Sequence, residues 1–378
     1  MKKLKQWVKT PTFSNVSASI AAIVMGLLFG LIILLVTNPS QALPGFVSIL
    51  AGGITGGAQG LGDVLYTATP LILTGLSVGF AFKTGLFNIG ASGQLVVGAY
   101  VAVLLGNLDL GLGGFHWVVA FLAAMVAGAI WAGIVGFLKA YLNVHEVISS
   151  IMLNYTGMHL VNLLITQTVY DKLRNQTQPV LQTANIPAMG LDKIFPDSSV
   201  NGGFFIAMII VVIVHIILNK TVFGYELIAC GHNPNASQYA GINAKRNVVM
   251  AMVIAGALAG AAGGMIYLAG AGKYIRVIDT LHSEGFMGIP IALLGLSNPI
   301  GVFFAALFIA YINIGGFYMQ LYDFVPEVIE IIIAAIIYFS AFALIVKNII
   351  ARYQSKAEEK EKSKAEAAEI SAEGGSQS

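Results

Sequence analysis

The residues of this chain that could do chemistry are few, and most lie inside or beside apolar stretches. Between Lys83 and Gln94 the order Lys-Thr-Gly-Leu-Phe-Asn-Ile-Gly-Ala-Ser-Gly-Gln sets Asn88, Ser92 and Gln94 between two apolar runs. Polar side chains at membrane depth are expensive to leave in lipid, so they face a partner or a water-filled path. Amides and hydroxyls suit a neutral polar solute, and they also tie helices together. Both readings stand for each of them. Gly85, Gly90 and Gly93 would permit a broken or re-entrant backbone here, or a tight turn. A second polar set is Ser149, Ser150, Asn154 and Tyr155, in which Ser150 and Asn154 are four apart and share a helical face expected to point into a bundle. Asn313 sits mid-run beside Tyr311, and Glu330 lies about one turn inside the last apolar run.

Catalytic constellations are missing. His145-Glu146 opens a zinc-protease pattern, but position 149 is Ser where the second imidazole would stand. Gly79 and Lys83-Thr84 suggest a phosphate loop, yet Phe82 occupies the place of the glycine before the lysine. The chain therefore cannot drive anything with ATP by itself. The lone Cys230 excludes an internal disulfide framework and a cysteine-based metal site. A net charge of +2, from 20 Lys+Arg against 18 Asp+Glu, gives no support for a nucleic-acid surface.

The elements that must position these residues are set by composition. Of 378 residues 57% are apolar and only 10% charged, against about 25% in an ordinary soluble domain. The expected class is an all-α polytopic membrane bundle. A spanning helix needs roughly 20 apolar residues, and Ser17–Val36 supplies them without a charge as an uncleaved anchor. Further runs at about 67–82, 88–106, 116–138, 148–166, 203–219, 248–270, 284–296, 300–318 and 326–346 bring the expected total to about ten spans. Alternating them from a cytoplasmic N-terminus puts fifteen basic residues inside, Lys83, Lys139, Lys220, Lys245 and Arg246 among them. Five fall outside: Lys172, Arg174, Lys193, Lys273 and Arg276. The positive-inside rule then places both termini in the cytoplasm.

This divides the chain into a cytoplasmic N-terminal segment (1–16), a transmembrane domain (17–346) and a Lys/Glu/Ala-rich tail (347–378) expected to be disordered. Outer segments are expected at 38–66, whose glycine ladder Gly52, Gly53, Gly56, Gly57 and Gly60 would let a short helix lie against neighbours or else serve a flexible loop, and at 167–202. Gly256, Gly260 and Gly264 form a small-xxx-small repeat for close helix packing. The inner loop 220–247 is longer than a simple connection requires. Asn235 is expected to cap a short helix running to Tyr239, with Gly241 as its stop and Gly231 at another tight turn. Such a knob, held off the membrane and rich in small residues, suits a groove on another protein.

Four blocks resemble a known family: 87–94 (Phe-Asn-Ile-Gly-Ala-Ser-Gly-Gln), 145–155 (His-Glu-Val-Ile-Ser-Ser-Ile-Met-Leu-Asn-Tyr), 223–243 (Phe-Gly-Tyr-Glu-Leu-Ile-Ala-Cys-Gly-His-Asn-Pro-Asn-Ala-Ser-Gln-Tyr-Ala-Gly-Ile-Asn) and 285–301. Together, over roughly 60–345, they resemble bacterial ABC-importer permeases of the simple-sugar and branched-chain amino acid type, and within these the nucleoside-uptake branch. The match departs from that branch at Ser92 and His145, where an acid and an asparagine are common. The resemblance implies a ten-helix, non-enzymatic permease in the bacterial cell membrane. Its implied partners are a second homologous permease, a cytoplasmic ATPase that binds the ATP and Mg, and an extracytoplasmic substrate-binding lipoprotein. It also implies that 223–243 carries the coupling helix, with Gly224, Glu226, Gly231, Asn235, Ala240 and Gly241 as its candidate residues. The candidate path is Asn88, Ser92, Gln94, Ser150, Asn154 and Asn313, for a nucleoside or alternatively a simple sugar or a branched-chain amino acid. A self-sufficient secondary transporter or channel is the rival class.

Overall fold

Apolar runs unbroken by charge become helices, because in hydrocarbon a helix satisfies its own backbone groups. The computed structural model describes residues 11–270 and 273–341. Its first half consists of α1 (Pro11–Thr37), α2 (Ala42–Ala51), α3 (Gly57–Lys83), α4 (Ala91–Asn107), α5 (His116–Leu142) and α6 (Glu146–Gln167). A two-residue hairpin, β1 (Tyr170–Asp171) against β2 (Gln176–Thr177), follows. Then come α7 (Leu191–Ile194), α8 (Gly203–Lys220), α9 (Val222–His232), α10 (Pro234–Tyr239), α11 (Ala244–Tyr267), α12 (Ser283–Leu294), α13 (Pro299–Met319) and α14 (Pro326–Ala341). The N-terminal lysines Lys2, Lys3, Lys5 and Lys9 and the tail 347–378 lie outside the described residues.

Among the described residues six helical stretches are long and apolar enough to cross a membrane: Gly57–Lys83, Gly113–Leu142, Glu146–Gln167, Gly203–Lys220, Ala244–Tyr267 and Pro299–Tyr322. They overlie the runs predicted at 67–82, 116–138, 148–166, 203–219, 248–270 and 300–318. The runs at 88–106 and 284–296 form the shorter α4 and α12, of 17 and 12 residues. Those at 17–36 and 326–346 fall on α1 and α14, with 342–346 outside the described residues. The bundle turns apolar side chains outward. On α8, Ala207, Val211, Val214 and Leu218 are buried while Ile209, Val212, Ile213 and Ile216 form an exposed stripe, the pattern of a helix between protein and lipid.

Glycines set how closely the helices approach. Gly260 lies on the Ala124 carbonyl and Gly256 on Ala132 and the Gly128 carbonyl, while a Cβ on Gly98 would stand 2.6 Å from the Gly260 Cα. The repeat in α11 thus fits between α4 and α5 with backbones almost touching, as predicted for small residues at a membrane interface. α3 is the other inner helix, packed against α8, α11, α12 and α13.

Of the two readings open for 38–66, the structure has the short helix lying against neighbours. The stretch 38–66 is mostly helical, since α2 fills 42–51 and α3 begins at Gly57. Its glycine ladder is a packed corner: Gly52, at φ +48°, lies beneath the Tyr311 ring, whose hydroxyl donates to the Leu50 and Ala51 carbonyls at 2.8 and 2.7 Å. The stretch 167–202 is the long connection expected, with short elements alone. It is laid across the helix ends with the segment after α11, through Thr177 N to Ile275 O (2.9 Å), Val277 N to Asn175 O (3.2 Å) and Leu181 N to Gly106 O (2.9 Å).

Candidate functional site

The predicted polar residues of α4 and α6 come together. Between Lys83 and Gln94 the chain makes a turn joining two helices, not a re-entrant segment. Gly85 takes φ +75° to end α3, and Leu86 N donates back to Ala81 O at 2.9 Å. This carries Asn88 beneath α4, where it and Gln94 exchange amide hydrogen bonds, Nδ2 to Oε1 and Nε2 to Oδ1, both at 2.9 Å. Asn88 also donates to Ser77 Oγ at 3.2 Å, and Ser77 to Ala255 O at 2.6 Å, so the turn is stitched to α3 and α11. Asn154 on α6 accepts from Gly93 N at 2.8 Å and donates to Ile89 O at 3.1 Å. Ser92 donates to His282 O at 2.8 Å, and the missing side chain of Gly285 lets α12 rest on the Ser92 backbone. All of these side chains are buried, and so is Ser150, whose hydroxyl has no hydrogen-bond partner.

Two cavities open beyond this seam. One, of about 350 Å³, lies among α3, α11, α12, α13 and α14, lined by Tyr66, Thr67, Asn201, Lys273, Asn313 and Glu330 among others. The Lys273 ammonium sits 5.2 Å from the centre of the Tyr66 ring. The other, of about 320 Å³, lies between α4, α6 and the segment leading into α12, with Met158, Asn162, Tyr267, Tyr274, Arg276 and His282 in its wall. Ser283 and Glu284 line both. His282 joins the groups there: its Nε2 is 3.3 Å from the Tyr267 hydroxyl and its Nδ1 3.6 Å from Glu284 Oε2. Of the six predicted path residues only Asn313 lines either cavity. Among the described residues no group of three His, Cys, Asp or Glu side chains converges as for a metal.

The predicted knob is built of two helices, α9 and α10. Thr221 caps α9, its Oγ1 accepting from Gly224 N at 3.0 Å. Asn233, not Asn235, caps α10, accepting from Ala236 N at 3.0 Å, because Pro234 takes the first helical position and moves the start back. Gly241, at φ +81°, is the stop predicted, with its N–H on Gln238 O and that of Ile242 on Ser237 O, both at 3.0 Å. Gly231 is not at a turn. It lies inside α9, where a Cβ would stand 2.6 Å from the Thr84 carbonyl carbon, and Gly85 returns the contact. Gly224 seats α9 on the end of α8, and Glu226 accepts from Asn247 Nδ2 of α11 at 3.3 Å. Three helices thus hold the unit, while Asn235, Ala240 and Gly241 face outward beside Tyr239, which is 94% exposed.

Sequence reasoning missed Tyr267, Tyr274, Arg276, His282 and Glu284. They stand at the end of one apolar run, in a short connection and at the start of the next, where no periodicity marks them. Arg276 entered only as one basic residue in a topology count. The usable signal was density: Lys273, Arg276, Asp279 and His282 crowd a connection fifteen residues long between α11 and α12, and Glu284 follows in the first turn of α12.

A family model described as branched-chain amino acid transport system / permease component matches residues 60–341. The chain is 39% identical to the guanosine ABC transporter permease protein NupP of Bacillus subtilis (strain 168), over 91% of this chain and 98% of that one. It is 36% identical to the nucleoside ABC transporter permease protein NupB of Lactococcus lactis subsp. cremoris (strain MG1363), over 94% and 98%. It is also 30% identical to a second Bacillus subtilis protein, the guanosine ABC transporter permease protein NupQ, over 70% and 84%. No solved structure gives a significant match.

Proposed function

The chain belongs to the family of branched-chain amino acid transport system permease components, an integral membrane family, and from that premise we propose that it is a permease subunit of an ATP-driven nucleoside importer. One observation carries this: similarity to two nucleoside permeases runs through more than nine-tenths of this chain and of each of them. In this reading ten helices cross the bacterial cell membrane, α1, α3 to α6, α8 and α11 to α14, with both termini in the cytoplasm. The α9–α10 unit then lies on the cytoplasmic side, where it docks on a separate ATPase that binds ATP and Mg. Gly224, Glu226 and Gly231 fix the unit to the bundle, and Asn235, Ala240 and Gly241 shape its outer face. A second, different permease completes the path, as the two Bacillus subtilis relatives suggest, and an extracytoplasmic lipoprotein delivers the solute.

The buried seam of Asn88, Ser92, Gln94, Ser150 and Asn154 is the closed section of the path in this picture. Its amides and the Ser92 hydroxyl bond one another or the neighbouring backbone when no solute is between them, and the unpaired Ser150 hydroxyl is free to take part when the seam opens. Reconstitution tests the proposal. Vesicles holding this chain, its partner permease and the ATPase should accumulate radiolabelled guanosine only with ATP and a loaded binding protein. Accumulation by this chain alone, driven by an ion gradient, would replace the reading with a secondary transporter; transport of ribose but no nucleoside would replace the solute.

A further inference from the structure

We propose that the cavity between α4, α6 and the 274–284 segment is a receiving site for the solute, and that Arg276 there selects purine nucleosides bearing an oxo group at C6. The inference rests on the nucleoside reading and adds to it a place and a preference. α6 presents Ser150, Asn154, Met158 and Asn162 at four-residue steps, so each lies one turn beyond the last on a slowly winding stripe. The first two lie in the buried seam and the last two in the cavity wall, so the cavity continues the same stripe beyond the seam. Its volume of about 320 Å³ is that of a pocket for a small molecule.

The wall asks three things of an occupant. Tyr267 and Tyr274 want a flat apolar partner, Glu284 wants hydroxyl donors, and the Arg276 guanidinium, 5.9 Å from the centre of the Tyr274 ring, wants acceptors. A nucleoside brings all three, with ribose hydroxyls for the carboxylate as in dinucleotide sites. A free sugar lacks the flat face, and a nucleotide would bring its phosphate to Glu284. Arginine donates and never accepts, so it pairs with the O6 and N7 acceptors of a 6-oxopurine and opposes the 6-amino donor of adenosine. The backbone at Arg276 is held by its bridge to Gln176, independently of the side chain.

Inosine and adenosine, which differ in the exocyclic group at C6, separate the outcomes. Uptake by the complete importer is read at saturating solute, where capture by the binding protein no longer limits. The wild type should carry inosine faster, Arg276→Met should lower the inosine-to-adenosine rate ratio about tenfold, and Arg276→Lys should restore part of it. An unchanged ratio in Arg276→Met overturns the inference and leaves the nucleoside reading intact; no uptake of either solute by the wild type overturns both. A second measurement keeps Arg276 in place and so does not depend on those variants reaching the membrane. In the detergent-solubilised importer carrying Ile278→Cys in a Cys230→Ser background, millimolar inosine should slow maleimide labelling more than adenosine does. Labelling that inosine leaves unchanged overturns the site.

Discussion

At the scale of single residues, the Asn88–Gln94 pair shows what a buried amide demands. Each side chain meets the other with both a donor and an acceptor, at 2.9 Å each way, with no water exposed to substitute for either. Removing one partner strands the other and should cost on the order of 1–3 kcal/mol, whereas replacing both with apolar groups can be nearly neutral. Asn88→Leu and Gln94→Leu are each expected to lower the unfolding midpoint of the purified permease in detergent. The double variant should lie well above the sum of the two losses. Strictly additive losses in that double-mutant cycle would show that the amides act separately. The same pair shows where sequence reading stops: residue type and depth marked Asn88 and Gln94 as needing partners, but nothing in their order said that each is the other's partner.

At the scale of elements, helices were legible because uninterrupted apolar length is a strong signal, and the small-xxx-small repeat of α11 was legible because only small residues permit such approach. Helix ends were less so. α3 begins at Gly57, ten residues before the apolar run, where Gly60 packs on the Gly53 carbonyl and Gly62 on Ser198 and Phe195, and hydropathy cannot report those contacts. The cap of α10 slipped from Asn235 to Asn233 because a proline at the first helical turn outranks the neighbouring asparagine. The cavity wall escaped, since it is assembled from a connection, the ends of the two helices that flank it, and α4 and α6, which are distant in sequence. The α9–α10 unit yields a contrast between two substitutions. Gly231→Trp collides with the Thr84–Gly85 backbone and should lower the amount of folded permease in the membrane. Ala240→Trp changes only the outward face, so the permease should insert at normal levels yet lose uptake and co-purification of the ATPase. Normal folding of Gly231→Trp, or normal uptake by Ala240→Trp, would show that the two faces of the unit are assigned wrongly.

At the scale of the whole molecule, the proposed orientation rests on a count of basic residues, fifteen to one side and five to the other if the ten expected spans alternate. In a Cys230→Ser background, Leu173→Cys on the fully exposed tip after β1 should react with an impermeant thiol reagent added to intact cells, and Lys245→Cys should not. Labelling of position 245 alone would invert the assignment. The Gly85–Gly231 contact has a mechanical consequence at this scale. Ordinary helix contacts are cushioned by side chains, which take up small displacements by hopping between rotamers. Here main chain bears on main chain, so the joint has little compliance and a push on α9 passes to the end of α3 almost undamped. α3 is an inner helix in contact with α12, whose first turn carries Glu284 into both cavities. A rigid main-chain joint thus stands at the head of a train of helix contacts that runs from the α9–α10 unit through α3 to the two cavities.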